Sequence, residues 1–113
     1  MTLQEVKTIL DAKVLCEEQH LDSEVLSAFA CDFMSDVLAF AHNQPLLLTG
    51  LVNPQVIRTA EMMDVPCIVF VRGKMPDATM MELAAERGIV LMNTAKTMYT
   101  SSGLLYSAGL QGG

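Results

Sequence analysis

A chain of 113 residues with 51% hydrophobic and 18% charged side chains has the size and composition of one packed domain, spanning 1–113, and lacks the polarity of a disordered segment. The net charge of −6, with no stripe of Lys or Arg, excludes nucleic acid as a partner, because phosphate binding needs clustered bases to displace counterions. No apolar run reaches the length of a membrane helix, and the start Met1-Thr2-Leu3-Gln4-Glu5 lacks the basic region and apolar core of a secretory signal, so a soluble cytoplasmic protein with no membrane partner is expected.

Thr2-Leu3-Gln4-Glu5 has capping-box spacing, and Leu3, Val6, Ile9 and Leu10 follow on one face, which predicts a first helix ending near Ala12. Lys13–Cys16 reads as a short strand. A polar stretch, Glu17–Ser23, leads to Glu24–Cys31, which reads as a second strand or extended segment. Asp32 or Ser35 is placed to cap a helix that buries Val37, Leu38 and Ala41. From Pro45 the order becomes regular. Leu46–Thr49 is a strand, Gly50–Val52 a loop, and Asn53-Pro54 the N-cap and first residue of a helix with Val56, Ile57, Ala60 and Met63 on its buried side. The wholly apolar Pro66–Val71 reads as a strand covered on both faces. Asp77 caps the next helix, Arg87-Gly88 ends it, and Ile89–Met92 is a further strand. Thr94 is placed as the cap of a last helix reaching Ala108-Gly109. Three successive strand–helix units imply an α/β fold: a small layered domain with a mostly parallel sheet of about five strands.

Composition within the chain is uneven. Residues 1–36 hold eight acids and two bases, and residues 37–113 hold five of each, so the whole charge excess lies in the first third. Cys16, Cys31 and Cys67 are an odd number without a C-x-x-C pair, which argues against a disulfide framework. The Cys16, His20 and Cys31 spacing matches no common zinc pattern, so no metal is expected. Nine methionines are many for this length, and seven fall between Met62 and Met98. Their helical spacing suits a core or a subunit interface, and a homodimer built on Met-bearing helices is expected.

Catalytic motifs are missing where they would be looked for. A P-loop ending at Gly73-Lys74 needs Gly at 68 and Ser or Thr at 75, but Ile68 and Met75 stand there. There is no G-x-G-x-x-G and no G-x-S-x-G, and neither His20 nor His42 has a nucleophile beside it in sequence. Asp32 and Asp36 read as a cap and a solvated acid rather than a catalytic pair. Topology gives a better signal. Ligands of open parallel sheets sit outside the carboxyl ends of the strands, where helix N-termini favour anions. Three loops should meet there, offering Thr49, Gly50, Asn53, Arg72, Lys74, Asn93, Thr94 and Lys96 to a phosphate or carboxylate. Ordinary capping by Asn53, Asp77 and Thr94 beside solvated lysines is the plainer alternative. The terminal Gly112-Gly113 is similar to the tail of ubiquitin-like sulfur carriers, but the helix-rich pattern is not a β-grasp, and a frayed tail is expected.

The stretches Cys31-Asp32-Phe33-Met34-Ser35-Asp36-Val37-Leu38, Leu47-Leu48-Thr49-Gly50-Leu51-Val52-Asn53-Pro54, Cys67–Lys74 and Thr97-Met98-Tyr99 together resemble the standalone branch of the DRTGG-domain family. The resemblance implies a fold like the N-terminal domain of HPr kinase/phosphorylase, which is not its kinase domain. It also implies a regulatory role like that of the DRTGG domains of phosphotransacetylases and inorganic pyrophosphatases. In the pyrophosphatases such domains accompany nucleotide-sensing modules and help form a dimer, and standalone members occur beside genes for redox enzymes and serine-kinase-like regulators. Asp32 is followed by Phe33 rather than Arg, and Gly50 by Leu51 rather than Gly, so only Asp32, Thr49 and Gly50 carry over as motif positions. The expectation is a non-catalytic sensing domain without a cofactor, which binds a small anionic ligand such as an adenine nucleotide and acts through a partner protein. The alternative is an accessory protein-interaction module of a redox or signalling system that has no small ligand.

Overall fold

The computed structural model describes residues 1–112. Five strands form one sheet: β1 (Lys13–Cys16), β2 (Ser27–Ala30), β3 (Pro45–Thr49), β4 (Cys67–Phe70) and β5 (Val90–Asn93). Five helices accompany them: α1 (Leu3–Leu10), α2 (Met34–Phe40), α3 (Pro54–Met62), α4 (Ala78–Arg87) and α5 (Met98–Ser107). The strand order is β1-β5-β4-β3-β2. Strands β2 to β5 run parallel, and β1 joins β5 antiparallel. The chain is therefore the α/β domain with a mostly parallel five-stranded sheet that its pattern implies.

Every residue of β3 and β4 is buried, so both faces of the sheet must be roofed. Alternation along each strand divides the core in two. Leu46, Leu48, Val69 and Met92 pack under α1 and α5 with Leu3, Val6, Leu10 and Leu105. On the opposite face Leu47, Ile68, Phe70 and Leu91 pack under α2, α3 and α4, with Val37, Val56, Ile57, Ala60, Met80 and Ala84. No helix among the described residues is long and apolar enough to cross a membrane.

Most caps are those that the sequence supplies. Thr2 and Glu5 form a reciprocal capping box at α1, and hydrogen bonds from Thr2 hold the Glu5 carboxyl below its ordinary pKa. Asn53 and Asp77 cap α3 and α4, and Gly88 ends α4 in the left-handed region at φ 68°.

Four expectations need correction. The second strand is confined to Ser27–Ala30, because Glu24–Leu26 is drawn aside: Val25 N–H donates to Met1 and Leu26 N–H to Gln44. Neither Asp32 nor Ser35 caps α2; Phe33 holds that position without a side-chain bond, and Leu38 is 41% exposed rather than buried. Thr94 does not cap α5; Thr97 does, while the buried Thr94 hydroxyl donates to the Leu10 carbonyl at 2.7 Å and ties β5 to the end of α1. Finally, the tail pairs with the sheet through Gly112. Ala28 N–H donates to the Gln111 carbonyl at 2.9 Å, and Gly112 bridges Ala28 in parallel along the open edge of β2. Gly113 lies outside the described residues.

The thiols differ in setting. Cys67 is fully buried in the core, and burial pushes its pKa far up. Cys16 is half-buried, and its thiol donates to the Ile89 carbonyl at 3.6 Å, a bond that a hydroxyl can replace. Cys67→Ser should therefore cost about 1–3 kcal/mol by burying an unpartnered hydroxyl. Cys16→Ser should cost clearly less. Denaturant midpoints for the two variants check this, and equal losses would contradict the placement of the core.

Candidate functional site

Four parallel strands release the chain at one edge of the sheet. The loops Thr49–Asn53, Arg72–Asp77 and Asn93–Lys96, together with Cys31-Asp32 after β2, lie along it. The loop after β4 turns toward α4 on one face, and the loop after β5 turns toward α5 on the other. Connections that part in this way open a crevice in a parallel sheet.

Backbone bonds largely fill that crevice. Arg72 N–H donates to the Lys96 carbonyl and Gly73 N–H to the Thr94 carbonyl, both at 2.8 Å. The Asn93 side-chain amide donates to Met75 Sδ at 2.9 Å. The Asn53 carboxamide oxygen accepts from Gln55 N–H, the Asp77 carboxylate from Met80 N–H and the Thr97 hydroxyl from Thr100 N–H. The helix ends expected to favour an anion are thus engaged by their own caps. Of the residues singled out from sequence, Asn53, Asn93 and Thr94 are committed to the fold.

Thr49, Gly50 and Arg72 gather at the β3–β4 side of this edge, while Lys74 and Lys96 lie on the loops after β4 and β5. Asp32 Oδ1 accepts from Gly50 N–H at 2.7 Å and from the buried Thr49 hydroxyl at 3.2 Å, and Leu51 N–H in turn donates to that hydroxyl at 3.1 Å. One carboxylate so fixes the exits of β2 and β3 together. Bonds of this kind, to an ionised acceptor, are about twice as strong as neutral ones. Asp32 is itself exposed, with capacity left on its second oxygen.

Arg72 completes the cluster. It is exposed and stands in the left-handed region at φ 57°, a conformation that costs a residue with a side chain about 1–2 kcal/mol. Its guanidinium lies over Gly50. A Cβ added to Gly50 would overlap the guanidinium and come within 3.6 Å of Asp32 Oδ1, so glycine is what leaves room for this approach. Among the described residues no carboxylate oxygen lies within 4.0 Å of a nitrogen of Arg72, Lys74 or Lys96; the ion pairs are those of Arg87 with Glu61 and Glu86, and of His20 with Glu17. Asp32, Thr49, Gly50, Arg72 and Gly73 therefore meet at one corner. The approach of Arg72 from the exit of β4 to Gly50 after β3 is a relation across strands that contiguous reading does not reveal.

No protein-family model matches this sequence, and no curated protein is similar to it. A solved structure does match: the CBS and DRTGG domains of the regulatory region of Clostridium perfringens pyrophosphatase, complexed with the activator diadenosine tetraphosphate. The two share 16% sequence identity at a TM-score of 0.73 over 92% of this chain. The fold is DRTGG-like. The match covers 45% of the pyrophosphatase chain, so this protein spans less than half of that regulatory region.

Two concavities of the DRTGG-like fold lie away from the Arg72 corner. An open, polar one of about 450 Å³ is bordered by Lys7, Asp11, Lys13 and Glu18. An apolar groove of about 280 Å³ runs between α5 and the β2 edge, lined by Ala28, Ala30, Leu48, Leu105, Tyr106 and Leu110. This groove is not legible in the sequence, because it depends on the tail returning to β2.

Asp32→Ala should cost about 1–3 kcal/mol, since it leaves the buried Thr49 hydroxyl and Gly50 N–H without their acceptor. Asp36→Ala, on the exposed side of α2, should change stability by less than about 0.5 kcal/mol. Urea unfolding of both variants checks this. Equal, small effects would show that the Asp32 bonds do not hold the corner.

Proposed function

We propose that this protein is a non-catalytic regulatory domain of the cytoplasm that binds a small anionic ligand at the Arg72 corner and acts through a partner protein. The observation that carries the reading is Arg72 itself. A left-handed arginine is held against a glycine at the carboxyl edge of the sheet, with no acid in ion-pair distance among the described residues. Strained backbone persists where the surrounding structure over-determines it, and such sites gather at ligand clamps. Lys74 and Lys96 follow on the same two loops, and a guanidinium fork suits a phosphate. The pyrophosphatase regulatory region of like fold was solved with a diadenosine polyphosphate, which supports an adenine nucleotide as the first ligand class to try. Its description as a regulatory region supports a role outside catalysis.

A protein-interaction module with no small ligand is the second reading. The occupied helix caps and the backbone bonds that tie the loops after β4 and β5 together favour it. Homodimerisation fits either. Met34, Met80 and Met92 are core residues, so a Met-based interface would centre on Met62 and Met75, which are 71% and 50% exposed. Light scattering should then give about twice 12.3 kDa, and a monomer at micromolar concentration would remove the dimer.

The ligand reading is tested by calorimetry and thermal shift with adenine nucleotides and inorganic phosphate at low ionic strength. Binding should weaken with salt and vanish on reversing Arg72 and Lys74 to acids, with little change in stability. Arg72→Gly is the sharper variant. It relieves about 1–2 kcal/mol of left-handed strain and loses about 0.5–1 kcal/mol to unfolded-state entropy, so stability should hold while binding is lost. No stabilisation by any nucleotide or phosphate would leave the interaction module as the account.

A further inference from the structure

Residues 14–57 contain six acids and neither Lys nor Arg, and the elements they form carry an unpartnered apolar surface. Phe33 is 70% exposed and Phe40 63%, although both belong to a segment whose Met34 and Val37 are buried. Phe33 is the N-cap of α2 and Phe40 its last residue, and seven positions of helix bring them to one side about 10 Å apart. Leu38, 41% exposed, lies on its flank. The loop leaving α2 is tied to the segment before β2. The Ser27 hydroxyl bonds the carbonyls of His42 and Asn43, and Gln44 accepts from Leu26 N–H while its side-chain amide donates to the Glu24 carbonyl. These bonds bring Leu26, 52% exposed, to the Phe40 end of the helix. Isolated exposed apolar residues are ordinary, but two phenylalanines on one helix face with a leucine at the end of the row mark an interaction surface.

Charge selects the occupant. Glu24, Asp32 and Asp36 are the exposed charges on the elements that form this surface, and His42 is the one titratable base there. Arg58 and Arg72 stand on the neighbouring α3 and on the loop after β4. Two copies docked through this face about a two-fold axis would bring the acids Glu24 and Asp36 of each copy together, while Asp32 has Arg72 at its own corner. Phosphate-bearing membranes and nucleic acids are repelled for the same reason. We infer that the outer face of α2, with Leu26, is a docking surface for a partner-protein segment that presents basic residues around apolar anchors. The inference names the partner chemistry that the proposed function requires, and it stands independently of any ligand at Arg72.

An amphipathic Leu/Lys peptide and its Leu/Glu counterpart are the probes, titrated into the ¹⁵N-labelled full chain. The Leu/Lys peptide should shift the amides of residues 24–26 and 33–44, bind at least about tenfold more tightly than the Leu/Glu peptide, and weaken with salt. Phe33→Ser with Phe40→Ser should remove those shifts while phosphate or nucleotide binding at Arg72, measured separately, stays as in the parent. Both side chains are exposed, so the double variant should fold, and a single set of dispersed amide signals verifies that. Equal binding of the two peptides overturns the inference. So do shifts confined to the acidic turn at Glu17–His20, or a self-association that the double variant abolishes.

Discussion

The sheet has no face to spare for water. Strands β3 and β4 are four or five residues long and buried throughout, so the domain exists only if helices roof both sides. Three connections, α2, α3 and α4, cover one side in passing from strand to strand. The other side depends on the two ends of the chain, with α1 before the first strand and α5 after the last. The Thr94 hydroxyl on the Leu10 carbonyl and the return of Gln111-Gly112 to β2 are what bind those ends to the sheet. An edge strand left bare is a template for association, and the returning tail occupies part of it.

The carboxyl edge follows from the same constraint. Parallel strands deliver all their exits to one side, and short loops leave little room to separate them. Asp32 uses this crowding: a single carboxylate joins the exits of β2 and β3, and Gly50 leaves the space in which Arg72 crosses from β4. Asp32 is also bonded in sequence to Phe33, the exposed aromatic at the N-cap of α2. The Arg72 corner and the proposed docking face therefore adjoin through one peptide unit.

Fold class and element order were legible because the signals are local. The capping box at Thr2, Asn53-Pro54, Asp77 and Gly88 act within a turn of themselves, and the apolar run at Cys67–Phe70 is recognisable without neighbours. What stayed hidden depends on pairs far apart in sequence. Asp32 lies where a cap would lie, yet its carboxylate is taken by Thr49 and Gly50 across the sheet. Thr94 likewise forgoes its own helix for Leu10, leaving the cap to Thr97. At the candidate site the gathering of three loops could be read from the order of strands and helices. The bonds of Asn93 to Met75 and of Thr94 to Leu10 could not, since each depends on a partner distant in sequence.

The central claim is that the Arg72 corner is where a ligand is read. Amide shifts of the ¹⁵N-labelled protein during titration with diadenosine tetraphosphate test it most directly, because Gly50 lies against the guanidinium and Gly73 follows Arg72 in the chain. The account predicts saturable shifts at Gly50, Leu51, Arg72 and Gly73, with the groove amides of Leu105, Tyr106 and Leu110 unmoved. Shifts confined to that groove, or a spectrum that does not change, would contradict it.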